Sequence, residues 1–177
     1  TLESIQHQCS EERLNEIIST HGDYPFPLDF YATPLGMLRE SGNDIEKWKE
    51  LWQYTRFTLP VKFGVASVAL ANRYPKLGLT GWHTNSNSSG YQFLFTWSEN
   101  GKGVFKYKDI KTGEIVSIQD KPGWQCRWYH FTENEPYCWH CCYTECERLT
   151  IAFKIDKISE TVQQLRDDFI FEIEQKN

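Results

Sequence analysis

The feature that most constrains the fold of this chain is a change in the pattern of apolar and polar residues after Pro75. From there to about residue 155, short segments of alternating apolar and polar side chains are separated by turn-forming residues, without helical periodicity. Six segments predict strands: 91–97, 103–107, 114–118, 126–131, 139–144 and 148–155. With one further strand before His83, the count predicts a mainly β domain built as a jelly-roll barrel.

The first 58 residues predict helical support for this strand core. Ser10, followed by acidic residues and an apolar stripe, predicts a capped amphipathic helix that ends at Gly22. Apolar residues recur at helical spacing over 45–54 and predict a second helix. Three prolines between positions 23 and 34 favour an extended segment, either a lid or a strap. The stretch 59–70 is compatible with the start of a sheet, whereas 66–72 is equally compatible with a helix.

A last helix is predicted near the C-terminal end. From Ser159 onward, apolar side chains recur on one face with acidic residues between them. We expect this helix to pack on the outside of the sheet, with a dimer contact as the alternative. A chain of 177 residues suits a single domain, which we divide into helical support at 1–58, a strand core at 59–155 and a C-terminal helix at 159–176.

Charge and hydropathy narrow the classes of partner. The formal net charge of −5 gives no electrostatic reason to expect nucleic-acid binding. No run of about eighteen apolar residues occurs, and the first twenty residues are polar and acidic, so neither a membrane span nor a signal peptide is predicted. We expect a cytoplasmic monomer or homodimer that acts on a small molecule or a protein side chain. Position 1 is Thr rather than Met, so the native start is expected to precede it.

Four of the six cysteines lie close together, at Cys138, Cys141, Cys142 and Cys146. Such crowding is unlike a disulfide framework and indicates buried thiols or metal ligands. A structural zinc site formed by these cysteines with His140 is therefore an alternative. Against it, Cys141 and Cys142 are adjacent, and adjacent side chains of a strand point to opposite faces.

Two histidines and one amide are candidates for a single metal site. His83 and Asn85 are two residues apart, so an extended backbone places both side chains on the same side. The chain between His83 and His140 is long enough for about five strands, which can bring His140 back beside His83. Two imidazoles and one oxygen ligand on one face leave positions of a ferrous ion open. We expect His83, Asn85 and His140 to be the metal ligands and the catalytic centre.

Arg148 is a candidate for binding an anion. It follows His140 by one short strand and a turn, which directs its guanidinium inward. An inward arginine in an apolar interior requires an anionic partner, and a carboxylate can pair with it in bidentate fashion. Thr150 lies two residues further on and is expected to point the same way.

Strand alternation adds further side chains to the expected pocket wall: Tyr91, Phe93, Phe105, Arg127, Tyr129 and Trp139. Among them, Tyr91 is expected to contact a bound cofactor together with Arg148 and Thr150. Arg127 and Trp139 are expected to contact the substrate.

These motifs resemble the Fe(II)/2-oxoglutarate-dependent dioxygenase superfamily, whose fold is a double-stranded β-helix of the cupin type. More narrowly, the chain is similar to small stand-alone members from phages and marine bacteria. The segments that carry the resemblance are 82–88 (WHTNSNS), 120–124 (DKPGW) and 139–140 (WH). The resemblance implies iron on His83 and His140, and 2-oxoglutarate held by Arg148 with Thr150. It also implies oxidative decarboxylation to succinate and CO2, coupled to hydroxylation of a substrate of unknown identity.

The sequence departs from this family at Asn85, where a carboxylate is usual. Asn85 can ligate through its carbonyl oxygen, an acid such as Asp109 or Asp120 can take its place, or the two histidines can hold the metal alone. A non-catalytic, cupin-like binding module is the alternative function.

Overall fold

The computed structural model describes residues 1–22, 24–37, 43–59 and 67–155. The alternating segments after Pro75 form strands, as predicted, with bounds that differ by at most three residues. The strands are β1 Phe30–Tyr31, β2 Thr33–Pro34, β3 Ser67–Tyr74, β4 Leu79–His83, β5 Gly90–Ser98, β6 Gly103–Lys108, β7 Ile115–Gln119, β8 Gly123–Phe131, β9 His140–Thr144 and β10 Arg148–Ile155. The protein is therefore mainly β.

The strands form two antiparallel five-stranded sheets rather than a closed barrel. One sheet has the order β1-β4-β9-β6-β7 and the other has the order β2-β3-β10-β5-β8. From β3 onward, every connection except that between β6 and β7 crosses from one sheet to the other. No described strand of one sheet pairs with a strand of the other, so the predicted barrel is not closed.

The ambiguous stretch before Pro75 is a strand over its described part. β3 pairs antiparallel with β10, and Arg148 lies opposite Tyr74. The register shifts between Ala152 and Phe153, where the ladder is irregular. Residues 60–66 lie outside the described ranges, so the prediction for these residues cannot be compared with the structure.

Three α-helices precede β3 in the described chain: α1 Leu2–Gln8, α2 Glu11–His21 and α3 Asn43–Gln53. The capped helix is confirmed, because the Ser10 hydroxyl accepts a hydrogen bond from the Arg13 N–H at 3.1 Å. Gly22 follows it with φ 64°. α3 confirms the second predicted helix and continues into a π-helical turn, Tyr54–Thr58. α1 was not predicted.

The helices cover the outer faces of the two sheets. α1 and α2 pack on the sheet of β4 and β9 through the apolar residues Ile5, Cys9, Leu14, Ile17, Leu79, Trp82, Trp139, Cys141 and Tyr143. α3 packs on the other sheet, where its partly buried residues Trp48, Leu51 and Trp52 meet Leu35, Phe93, Leu149, Ile151 and Phe153. In the described ranges no helix has the length and apolar run that a bilayer crossing requires.

The segment with three prolines is extended, as predicted, and supplies β1 and β2, which each add a short strand to an edge of one sheet. The predicted C-terminal helix at 159–176 lies outside the described residues.

The space between the sheets contains both apolar and polar side chains. Tyr74, Phe105 and Cys142 form its apolar cluster. β10 contributes to both faces, since Leu149, Ile151 and Phe153 belong to the outer cluster. Arg148 and Thr150 alternate with these residues and contact each other, so they point into the interior together, as expected.

Candidate functional site

Two histidines from paired strands face each other. His83 ends β4 and His140 begins β9, and the two residues are direct partners across this antiparallel pair. The centroids of their rings are 4.0 Å apart. Because opposite residues of an antiparallel pair are close neighbours, the register of β4 and β9 is what brings these two side chains together.

Each imidazole is held as a neutral ring with the same tautomer. Nδ1 of His83 lies 2.8 Å from the Gly81 carbonyl oxygen, and Nδ1 of His140 lies 2.9 Å from the Cys138 carbonyl oxygen. A carbonyl oxygen only accepts hydrogen bonds, so Nδ1 carries the proton and Nε2 keeps its lone pair. Burial lowers the pKa of His83 to about 4 and lowers the pKa of His140 well below its ordinary value. Metal-ligating histidines commonly donate their second N–H in this way.

Asn85 reaches this pair by a route that the sequence did not predict. β4 ends at His83, and Asn85 adopts a left-handed backbone conformation with φ 54° at the start of the short turn Ser86–Ser88. Asn is among the residues that tolerate this conformation. Its amide Nδ2 donates to Nε2 of His140 at 3.2 Å. A half-turn of the amide group exchanges Nδ2 for Oδ1, so Asn85 can also present an oxygen there.

The two acids considered as replacements for Asn85 are engaged elsewhere. Asp109 accepts hydrogen bonds from the backbone N–H groups of Lys111 and Thr112 at 2.7 and 3.0 Å. Asp120 is bound to arginine side chains. In the described part of the chain, no three or more His, Cys, Asp and Glu side chains form a group suited to a metal ion. The donor set near the two rings is therefore two imidazoles and one amide.

Arg148 is buried at the start of β10 and has one unused nitrogen. Its Nε donates to Asp120 Oδ2 at 2.8 Å, and its Nη1 donates to Thr150 Oγ1 at 2.7 Å. Nη2 is buried and has no hydrogen-bond partner in the described ranges of the chain. Burial acts to lower the pKa of Arg148, but Cys142 and Asp120 raise it above its ordinary value, so the group stays charged. A buried unpaired donor costs free energy, which indicates a place for an acceptor.

One cavity joins the histidines to the arginine. Its volume is about 340 Å³, and its wall includes His83, Asn85, His140, Arg148 and Thr150. Of the residues expected in the site, these five and Phe105 are brought together.

The wall also contains four buried polar residues that sequence reasoning missed: Asn72, Tyr74, Thr80 and Gln92. Asn72 and Tyr74 belong to β3, and the uncertainty between helix and strand hid their shared direction. Strand alternation in β5 could have identified Gln92 in place of its neighbour Tyr91.

Five residues predicted for the wall of this cavity lie outside it: Tyr91, Phe93, Arg127, Tyr129 and Trp139. Tyr91 is 40% exposed, and its ring contacts those of Trp128 and His130. Trp139 is buried in the cluster beneath α1 and α2. Arg127 lies between the sheets but donates to Asp120 Oδ1 at 3.2 Å rather than lining the cavity.

The four crowded cysteines do not share one environment. Cys141 belongs to the outer cluster under α1 and α2, whereas Cys142 belongs to the interior cluster. Cys146 lies 3.4 Å from the Ser98 hydroxyl. Because Cys141 and Cys142 face opposite sides of β9, this arrangement does not favour the zinc alternative.

Comparison with known proteins gives no family for this chain. No family model matches it, and no curated protein matches it. One similar solved structure is the crystal structure of Drosophila melanogaster CENP-C bound to CAL1, with a TM-score of 0.36 and 8% identity over 64% of this chain and 99% of that chain. Another is Peruvianin-I, a cysteine peptidase from Thevetia peruviana latex, with a TM-score of 0.36 and 12% identity over 74% of this chain and 92% of that chain. Both likenesses are too low to support an inference about fold or function.

Proposed function

We propose that this chain is a non-haem Fe(II)- and 2-oxoglutarate-dependent oxygenase that hydroxylates its substrate and releases succinate and CO2. One observation carries the proposal. One cavity is lined by two neutral imidazoles that carry no proton on Nε2 and by a buried arginine whose Nη2 has no partner among the described residues. A metal ligand pair and an anion-binding group in one cavity are what this chemistry requires.

The order of the strands supports a double-stranded β-helix. Without the short edge strands β1 and β2, the sheets have the orders β3-β10-β5-β8 and β4-β9-β6-β7. This is the order of an eight-stranded jelly roll, which places strands from distant parts of the chain side by side. In such a fold, the ligands from β4 and β9 meet at one end of the interior.

The residues present fit a ferrous ion. Nε2 of His83 and Nε2 of His140 would be two of its ligands, and Oδ1 of Asn85 would be the third. Both rings are neutral at pH 7, so no proton has to be displaced before binding. A neutral amide binds iron more weakly than a carboxylate, so we expect modest metal affinity.

The residues present also fit 2-oxoglutarate. Nη2 of Arg148 would donate to its distal carboxylate, and the adjacent Thr150 hydroxyl would complete that end. The buried polar side chains of Asn72, Tyr74 and Gln92 offer further hydrogen bonds along the wall. This arrangement would direct the 2-oxo acid end towards the two histidines.

When bound, iron with 2-oxoglutarate and O2 supplies oxidative decarboxylation, which couples formation of succinate and CO2 to hydroxylation of a C–H bond. The chain orients the reactants and excludes water. Phe105 and Phe131 line the cavity, and the Phe131 ring centroid lies 4.6 Å from that of His140. Apolar rings beside the ligands keep bulk water from the reacting centre.

A second candidate is a cupin-like binding protein without turnover. It is favoured by Asn85, because an amide that donates to Nε2 of His140 occupies the lone pair that a metal requires. In that case the cavity and Arg148 would still bind a carboxylate ligand, but no succinate would form.

The test measures succinate from 2-oxoglutarate with Fe(II), ascorbate and O2. We expect slow formation of succinate without added substrate, and its loss in His83→Ala and in His140→Ala. His130→Ala is the matched control, because His130 is exposed on the outer face of β8. Binding of 2-oxoglutarate without succinate would favour the second candidate. Succinate formation that survives His83→Ala would contradict the proposed site.

A further inference from the structure

Arg148 belongs to a buried cluster of three charged side chains. Asp120 lies between two arginines, with Oδ2 at 2.8 Å from Nε of Arg148 and Oδ1 at 3.2 Å from Nη1 of Arg127. The side chains of Arg148, Asp120 and Arg127 are 1%, 0% and 13% exposed, respectively. Buried charges interact strongly because water screens them poorly.

The number of charges in this cluster matters for an anionic ligand. Arg148 and Asp120 alone form a neutral pair, so a carboxylate that approaches Arg148 would also meet the repulsion of Asp120. Arg127 adds a second positive charge and gives the cluster a formal charge of +1. One negative charge from a ligand at this end of the cavity would therefore neutralise the cluster.

The cluster also fixes the direction of the Arg148 guanidinium. With Nε bound to Asp120 and Nη1 bound to Thr150, the planar group has one orientation, and Nη2 remains as the free donor. Asp120 is itself held, because its backbone N–H donates to the Gly103 carbonyl at 2.8 Å. A Cβ on Gly103 would overlap Asp120 Oδ2, so glycine is required at this position of β6.

We propose that Asp120 and Arg127 act on the ligand through Arg148. Asp120 is a positioning residue that orients the guanidinium, and Arg127 supplies the excess charge that selects a ligand with a carboxylate at this end of the cavity. This inference rests on the proposed function, and it gives Arg127 a role away from the substrate.

The test compares the binding of two 2-oxo acids by anaerobic calorimetry on the Fe(II)-loaded protein. 2-Oxoglutarate carries the distal carboxylate, and 2-oxopentanoate lacks it. In Arg127→Met we expect the Kd of 2-oxoglutarate to rise about tenfold, while the Kd of 2-oxopentanoate changes by less than about twofold. Arg127→Lys keeps the charge and should restore the Kd of 2-oxoglutarate to within about threefold of the parent value.

Controls separate this inference from the proposed function and from a folding defect. Arg73→Met removes an arginine that pairs with Glu147 and should leave both Kd values unchanged. An equal loss of affinity for both 2-oxo acids in Arg127→Met would indicate structural damage and overturn the inference. If the parent binds 2-oxoglutarate and Arg127→Met binds it equally well, the inference alone fails. If the parent does not bind 2-oxoglutarate, the proposed function fails as well.

If Arg127→Met does not fold, Asp120→Asn provides the second variant. It keeps both arginines and removes the carboxylate that orients Arg148. We expect weaker binding of 2-oxoglutarate despite the higher positive charge, because the Arg148 guanidinium loses the hydrogen bond that fixes its orientation. Tighter binding in Asp120→Asn would show that charge alone matters and would overturn the positioning role.

Discussion

Replacement of Arg148 by Met should separate ligand binding from folding. Nη2 of Arg148 carries two N–H donors and has no partner among the residues that the structure describes. A hydrogen bond to a charged group contributes about 1.5–3 kcal/mol, so a carboxylate that uses one or both donors loses roughly 2–5 kcal/mol in the variant. This loss corresponds to a Kd for 2-oxoglutarate that is roughly 30- to 3000-fold higher.

The same substitution should destabilise the fold. Breaking a buried ion pair by removing one partner costs about 3–5 kcal/mol, but Asp120 keeps Arg127, so we expect about 2–4 kcal/mol. Urea denaturation measures this change. The double variant Arg148→Met with Asp120→Asn leaves only Arg127 charged, and Arg127 keeps its hydrogen bond to Gln125 Oε1 at 2.9 Å, so we expect it to recover about half of the lost stability.

Binding by the double variant decides between the two explanations. A stable double variant that still fails to bind 2-oxoglutarate in calorimetry shows that the guanidinium itself holds the ligand. Arg73→Met is the matched control for the loss of an arginine elsewhere. A folded Arg148→Met protein that binds 2-oxoglutarate within threefold of the parent would refute the reasoning.

Three further predictions concern the histidines and their surroundings. Asn85→Asp should raise the affinity for Fe(II) at least about tenfold in a competition titration, because a carboxylate is a stronger ligand than an amide. An unchanged affinity would show that Asn85 is not a metal ligand. The metal-free protein should lose stability as pH falls from 6.5 towards 4, because the unfolded chain protonates His83 before the folded protein does. At about 1.4 kcal/mol per pH unit, the loss in free energy of unfolding approaches 3 kcal/mol. Urea midpoints that stay constant over this pH range would contradict this prediction. Gly103→Ala should destabilise the protein by about 1–3 kcal/mol through overlap with Asp120. A thermal scan that shows no change in this variant would count against the packing.

The strands could be predicted from sequence because alternation and turn residues are local signals. β5 to β10 were located from these signals alone. α1 was missed because its seven residues are mostly polar and only Ile5 is buried. The separation into two sheets depends on which strands pair, and no local signal determines this.

The site could be predicted only where spacing determined direction. Arg148 and Thr150 are two residues apart in one strand, so their shared direction followed from alternation. The same rule places Trp139 on the face opposite His140, because neighbouring residues of a strand point to opposite faces. Trp139 accordingly lies in the outer cluster rather than in the cavity wall.

The partner of Arg148 could not be foreseen. Asp120 lies 28 positions away in the chain, directly after β7 in one sheet, whereas Arg148 begins β10 in the other sheet, so their contact depends on how the two sheets pack. Long-range contacts of this kind depend on the assembled sheets rather than on a sequence pattern.

Anaerobic spectroscopy tests the central claim most directly. Fe(II) and 2-oxoglutarate added together to the purified protein should give a weak visible charge-transfer band, which forms only when both bind at one centre. The band should disappear in His83→Ala and in Arg148→Ala and persist in His130→Ala. Absence of the band in the parent protein, or its persistence in His83→Ala, would contradict an iron and 2-oxoglutarate site in this cavity.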